Sequence, residues 1–177
     1  MTRRHRASRP LQVAVSGGGV CNRRAAALAQ AVGREVAAAG AILVCGGLGG
    51  AMEAAARGAV GAGGTVVGVL PGYEAASGNP YLTITIPTGL GHARNVLVAA
   101  AGDALIALPG KDGTLAEIAL ARVLGRPVVV LGAWRGVRGV VRARTPVDAV
   151  RRALALAATE RSRPRGAGAG RGGAGLR

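Results

Sequence analysis

The residues best placed to do chemistry lie between Gly91 and Leu120, in the stretch GHARNVLVAAAGDALIALPGKDGTLAEIAL. The apolar run Ala104-Leu105-Ile106-Ala107-Leu108 is expected to be a short buried strand, stopped by Pro109-Gly110. Gly110 and Gly113 leave the following loop free to approach a bound group. Thr114 stands where a helix N-cap belongs, with Glu117 three residues on. A loop that opens straight into a helix presents free N–H groups and the positive end of the helix dipole. It is therefore a candidate anion site, above all for phosphate. The competing reading needs no ligand, because Thr-x-x-Glu is also a capping box.

The elements that would hold this loop alternate along the chain. Strands are expected over Leu11–Val15, Ala41–Cys45, Thr65–Leu70, Leu82–Ile86, Ala104–Leu108 and Pro127–Leu131. Between them, helices are expected over Arg23–Ala39, Ala51–Val60, Gly91–Ala101 and Leu115–Leu124. A last helix opens at Thr145-Pro146 with Asp148 in its first turn and runs to Thr159. Residues 134–144 read as irregular. Buried strands alternating with helices predict an α/β fold, a single Rossmann-like domain over residues 11–160. Its doubly wound parallel sheet would carry helices on both faces. A basic arm over 1–10 and a Gly/Arg-rich tail over 161–177 have the composition of disordered chain.

In such sheets ligands sit beyond the carboxyl ends of the strands. Three Gly-rich loops follow three strands here, at 16–19, 46–50 and 109–113. They predict a phosphate-binding rim to which Gly17, Gly18, Gly47, Gly49, Gly50, Gly110 and Gly113 contribute.

Composition narrows the function classes. The chain has 177 residues and a net charge of +15, but the excess is uneven. Residues 1–10 contribute +4, 161–177 contribute +5 and 135–160 contribute +4, leaving the body from 11 to 134 nearly balanced. Basic tails can bind phosphate polymers without sequence preference. With only Tyr73, Tyr81 and Trp134 to stack on bases, the sequence argues against specific nucleic-acid binding. Cys21 and Cys45 make neither a disulfide framework nor a metal cluster, and a reduced cytoplasm is the expected setting. The apolar uncharged window Val36 to Met52 contains five glycines and is too short to span a membrane, so no membrane association is expected.

The common nucleotide fingerprints are missing. Gly17-Gly18-Gly19 has Asn22 at the sixth position, and Gly47-Leu48-Gly49 has Met52 there. The second strand ends in Val44-Cys45, without the acid that would hold a ribose, which argues against NAD. Lys111 follows Gly110 but precedes Asp112, so there is no P-loop.

The segments that are present, taken in order, resemble those of the Lonely Guy (LOG) and DNA-processing-protein-A-like superfamily. Cys45-Gly-Gly-Leu-Gly-Gly-Ala-Met-Glu53 is similar to its GGxxGxM segment, His92-Ala-Arg94 to its HxR, and Pro109 to Glu117 to its PGGxGTxxE. The likeness covers residues 11–132. Thr88 to Asn95 resembles more closely the molybdenum-cofactor-carrier-like branch, which has Arg-Asn where LOG enzymes have Arg-Lys. Asn79-Pro80 and Gly125-Arg126-Pro127 point the same way. The chain departs from the LOG pattern in two places. Lys111 replaces the second Gly of the loop and could reach a phosphate itself, while Asn95 removes a cation from the site.

The resemblance implies a binding or carrier protein for a phosphorylated, nucleotide-like ligand, with the molybdenum cofactor (molybdopterin) as candidate cargo. The alternative is a phosphoribohydrolase that cleaves a nucleoside 5′-monophosphate to base and ribose 5-phosphate. That chemistry needs a phosphate anchor and a carboxylate near the sugar carbon. Arg94 and Glu117 are the implied catalytic pair. Asn95, Gly110, Lys111, Gly113 and Thr114 are the implied ligand contacts. No metal site is expected. A homodimer or homotetramer is implied by the relatives' assembly.

Overall fold

A computed structural model of the chain describes residues 9–162. The arm expected over 1–10 and the tail expected over 161–177 therefore lie outside the described residues, apart from Arg9, Pro10, Arg161 and Ser162.

Seven parallel strands form one sheet in the order β4-β3-β2-β1-β5-β6-β7. They are β1 (Gln12–Ser16), β2 (Ile42–Cys45), β3 (Val66–Leu70), β4 (Ile84–Pro87), β5 (Ala104–Ala107), β6 (Val128–Leu131) and β7 (Val141–Ala143). Among the described residues four α-helices lie between strands, α1 (Arg23–Ala38), α2 (Ala51–Gly61), α3 (Asn95–Ala101) and α4 (Asp112–Val123), and a fifth, α5 (Pro146–Ser162), follows β7. The alternating pattern thus gives the doubly wound sheet it predicts. No helix among the described residues is long and apolar enough to cross a membrane.

Successive strand residues point to opposite faces, so one apolar run fills two cores. Val13, Val15, Leu43, Cys45, Ile106 and Val129 pack under α1, α2 and α5. Ala14, Val44, Leu105, Ala107 and Val130 pack under α3 and α4.

Two elements differ from the sequence expectation. The segment 134–144 is not wholly irregular, because Val141–Ala143 adds β7 to the edge of β6. Two half-buried residues flanking the exposed Arg142 at a sheet edge carry no apolar run to announce them. The helix expected over 91–101 is divided: Gly91–Arg94 is a 3-10 turn and only Asn95–Ala101 is α-helical.

Helices α1 and α2 cross at two glycines that lie mid-helix. A Cβ at Gly33 would strike the Ala55 carbonyl, and one at Gly58 would strike the Gln30 carbonyl. Helix propensity alone favours Gly→Ala by about 1 kcal/mol. Here overpacking reverses the sign, and Gly33→Ala is expected to destabilise by about 1–3 kcal/mol, read from the urea midpoint. An unchanged or raised midpoint would mean that the crossing tolerates separation.

Asp103 closes the amino end of β5. It accepts the Gln12 N–H (2.9 Å) and a two-toothed contact from Arg9.

Candidate functional site

The sheet reverses its winding between β1 and β5, and at such a switch point the connecting loops part to leave a crevice. A cavity of about 650 Å³ lies there, within the range of small-molecule sites. Among the residues expected from sequence, Gly17, Gly18, Arg94, Asn95, Gly110, Lys111, Gly113, Thr114 and Glu117 line it together.

Gly47, Gly49 and Gly50 do not line this cavity. They shape the loop behind it. Gly47 (φ +73°) lies against Leu70 and Gly68, and Gly50 (φ +66°) backs onto Gly18 and Gly19 so closely that no side chain would fit. Asn79 secures the same loop, donating its backbone N–H to the Gly47 carbonyl (2.9 Å) and its amide to the Leu48 carbonyl (3.0 Å). The Gly18 N–H donates to the Pro109 carbonyl (3.0 Å), and the Ala51 N–H to the Gly18 carbonyl (2.9 Å). Three loops distant in sequence are thereby fixed as one rim.

Three helices begin at this rim, and they are not equivalent. At α1, Asn22 accepts the Ala25 N–H (2.9 Å) and acts as an ordinary cap. At α2, the first N–H is taken by Gly18, and Glu53 stands in the first turn. The first turn of α4 has no side-chain cap. Its N-cap position is Lys111, so Thr114 is the third helical residue rather than the cap. The Thr114–Glu117 capping box is not formed, because Glu117 turns inward to other partners. The N–H groups of this turn lack a side-chain partner, and Gly113 and Thr114 stand on the cavity wall. Exposed Lys111 adds a cation beside them.

Glu117 and Arg94 form a buried ion pair, 6% and 7% exposed, with Arg94 Nη1 3.4 Å from Glu117 Oε1. The Ser16 hydroxyl, at the carboxyl end of β1, donates to Glu117 Oε2. Burial raises the Glu117 carboxyl above its ordinary value, outweighing Ser16 and the charge of Arg94. Burial lowers Arg94 against the opposing pull of Glu117 and Cys45. The guanidinium lies directly over Gly46, where any side chain would collide with it. Arg94 Nε is buried without a partner.

Among the described residues Glu117 is the sole carboxylate lining the cavity, and it is already paired. The unspent polar groups are Lys111, the Asn95 amide and the α4 N–H groups, all suited to an anion. Leu48, Met52 and Val20 supply an apolar wall.

Ser16, Gly46, Asn22 and the cavity wall at Met52 are additions to the site expected from sequence. Ser16 had one signal: a hydroxyl at the end of the first strand, which must lie beside the central strand. Met52, in the first turn of α2, is buried, yet it also lines the cavity. Cys21 lines the cavity and is half-buried. Cys45 lies beneath it, its thiol pushed up to about 11 by burial and therefore neutral and inert. Among the described residues, no group of three or more His, Cys, Asp or Glu could hold a metal ion.

Comparison with known proteins gives this geometry relatives. The model of the SLOG cluster4 family matches residues 10–158. An uncharacterized protein of Archaeoglobus fulgidus is 41% identical over 140 residues, covering 79% of this chain and 92% of its own. The molybdenum cofactor binding protein of the phototrophic bacterium Rippkaea orientalis superposes with a TM-score of 0.79 at 30% identity, covering 84% of this chain and 98% of that one. The molybdenum cofactor carrier protein of Chlamydomonas reinhardtii gives 0.77 at 32% identity, covering 85% and 99%.

Proposed function

The chain belongs to the SLOG cluster4 family, and from that premise we propose that it binds and carries a phosphorylated, nucleotide-like ligand, with the molybdenum cofactor as its cargo. One observation carries the reading: the uncapped start of α4 faces a cavity whose only carboxylate is already neutralised. The phosphate of the ligand would take the N–H groups at Gly113 and Thr114, with Lys111 as its counter-ion. A flat ring would lie against Leu48 and Met52, and the Asn95 amide would serve its heteroatoms. The likeness to two proteins named for the molybdenum cofactor supports molybdopterin as that ring system.

The test uses two reporters that the protein already has. Trp134, the only tryptophan, donates its indole N–H to the Leu108 carbonyl (2.8 Å), immediately before the Pro109-Gly110 loop. Cys21 lies in the cavity wall. Molybdopterin and a panel of nucleoside 5′-monophosphates are titrated while fluorescence and labelling of Cys21 by a thiol reagent are followed. Phosphorylated ligands are expected to shift the fluorescence and protect Cys21, and the dephosphorylated forms to do neither. Lys111→Gln is expected to weaken binding about 10-fold, the loss of one charge-assisted contact of about 1.5 kcal/mol. Equal binding of the dephosphorylated forms would overturn the reading.

The hydrolase alternative has one observation in its favour, that Glu117 reaches the cavity wall. Free base released from a monophosphate, and lost in Glu117→Gln, would replace the carrier reading with that one.

We also propose that the protein self-associates through the face carrying α3 and α4. Ile84 and Ile86 lie on that side of edge strand β4 at 49% and 45% exposure, and Val96, Leu97 and Leu115 are exposed on the helices. Light scattering is expected to give at least twice the chain mass, and Ile86→Lys to lower it. A monomer at all concentrations would refute the assembly.

A further inference from the structure

The β7 edge of the sheet carries charge that the cavity does not use. Between Ile118 and Val147 the sequence has six arginines and no acid. Folding gathers four of them. Arg142 pairs with Val130, which belongs to the core under α3 and α4, so Arg142 stands on that face of the sheet. Its Nη2 donates to the Arg135 carbonyl, in the loop from β6 to β7. That loop packs over the same face through Trp134, Val137 and Val140. It brings Gly139 (φ +71°) beside the last turn of α4, where a Cβ would stand 3.1 Å from Arg122 Nη2. Arg138 is the next residue back. All four arginines are exposed. None has an ion-pair partner among the described residues. The acids that bound the stretch are already engaged: Glu117 is buried with Arg94, and Asp148 holds Arg151 and Arg152 at 2.7 and 2.8 Å.

Four like charges gathered without a counter-charge repel one another, and a partner of opposite charge removes that cost. The surface is not purely ionic. Val123 and Leu124, at the same end of α4 as Arg122, are 85% and 43% exposed. Arginine among apolar side chains is the composition of a protein interface, and the guanidinium fork matches a carboxylate. A phosphodiester backbone would use the arginines but leave Val123 and Leu124 without a partner. A second copy of the chain is a poor source of carboxylates, having eight acidic residues against 23 basic ones. The surface also lies apart from the exposed isoleucines of β4, since β4 and β7 are opposite edges of the sheet.

We propose that Arg122, Arg135, Arg138 and Arg142, with Val123 and Leu124 beside them, form a docking surface for the carboxylate-rich face of a different protein.

The probe is a glutamate-rich peptide with interspersed leucines and no aromatic residue, titrated into the full chain. Trp134, the only tryptophan, immediately precedes Arg135 and packs on the core beneath this surface, so its fluorescence reads docking there. A saturable shift is expected, weakening as salt is raised. Changing the four arginines together to Gln should weaken the peptide about 10–30-fold at low salt, the sum of four exposed pairs. Changing Arg23, Arg24, Arg34 and Arg57 to Gln removes the same charge from α1 and α2 on the other face of the sheet. That set should weaken it less than about 3-fold. Arg138→Glu alone should weaken the peptide more than Arg138→Gln, with the urea midpoint of both unchanged. No shift, or equal losses from the two sets of four, would overturn the surface. Tighter binding of a duplex DNA of equal charge would overturn the choice of a protein partner. A loss in Lys111→Gln as large as that in the fourfold variant would place the peptide in the cavity and overturn the proposal.

Discussion

Replacing Arg94 with methionine is expected to lower the unfolding free energy by about 3–5 kcal/mol at neutral pH, a large share of the stability of a domain this size. The reason is the partner left behind. Glu117 is 6% exposed, and without Arg94 the Ser16 hydroxyl is its one remaining side-chain partner among the described residues. An ionised carboxylate so placed has lost its counter-charge and keeps little access to water. The sign of the pH dependence follows from the direction of the carboxyl's shift. A carboxyl whose folded value is raised favours the folded state while protonated. That contribution is lost as pH rises from the unfolded value through the folded one. Burial already raises Glu117 in the parent, and removing Arg94 raises it further. The deficit should therefore be smallest at about pH 5 and grow toward pH 8. Urea unfolding at both values reads this directly. Arg94→Met combined with Glu117→Leu should recover much of the loss, since an apolar pair leaves no charge unpaired. A deficit equal at both pH values and undiminished in the double variant would mean that Arg94 acts by packing over Gly46 alone.

Gly110→Ala should be the most damaging small change for ligand binding, weakening a phosphorylated ligand by about 100-fold, or about 2.7 kcal/mol. Its Cβ would collide with the Thr114 side chain and come within 3.0 Å of the Gly18 backbone nitrogen. Both neighbours belong to the rim, and the Gly18 N–H is already committed to the Pro109 carbonyl at 3.0 Å. The added methyl must push either α4 or the first loop away, so the N–H groups at Gly113 and Thr114 lose their aim at the cavity. Trp134 fluorescence titration would measure the loss. The melting temperature should move far less than in the Arg94 variant, because no charge is stranded. Wild-type affinity in Gly110→Ala would show that the ligand does not depend on this loop.

Much of the architecture is legible in single residues and their period. Short, mainly apolar runs bounded by glycine, proline or polar residues mark β1, β2, β3, β5 and β6, and Thr145-Pro146-x-Asp148 marks the start of α5. There the Thr145 hydroxyl does accept the Asp148 N–H (3.1 Å). These signals are local, and local hydrogen bonding decides them. Edge strand β7 escapes because a three-residue strand with exposed Arg142 at its centre and no apolar run resembles any loop. Gly33 and Gly58 read as weak points within helices, and only the crossing of α1 and α2 gives them a purpose.

The site divides in the same way. Sequence determined that Gly-rich loops follow three strands, that Arg94 and Glu117 stand at a family-like interval, and that Lys111 and Asn95 depart from the LOG pattern. It could not decide between a capping box and a site residue at Glu117, since both readings use the same Thr-x-x-Glu. The tertiary structure sets the capping box aside, by moving the start of α4 to Asp112 and bringing Ser16, 101 residues away, onto the carboxylate. That contact exists because β1 and β5 are neighbours in register, with Ser16 beside Ala107. The same register leaves Gly47, Gly49 and Gly50 behind the rim rather than in it. Periodicity fixes what each segment becomes, but only the pairing of strands distant in sequence fixes which side chains meet.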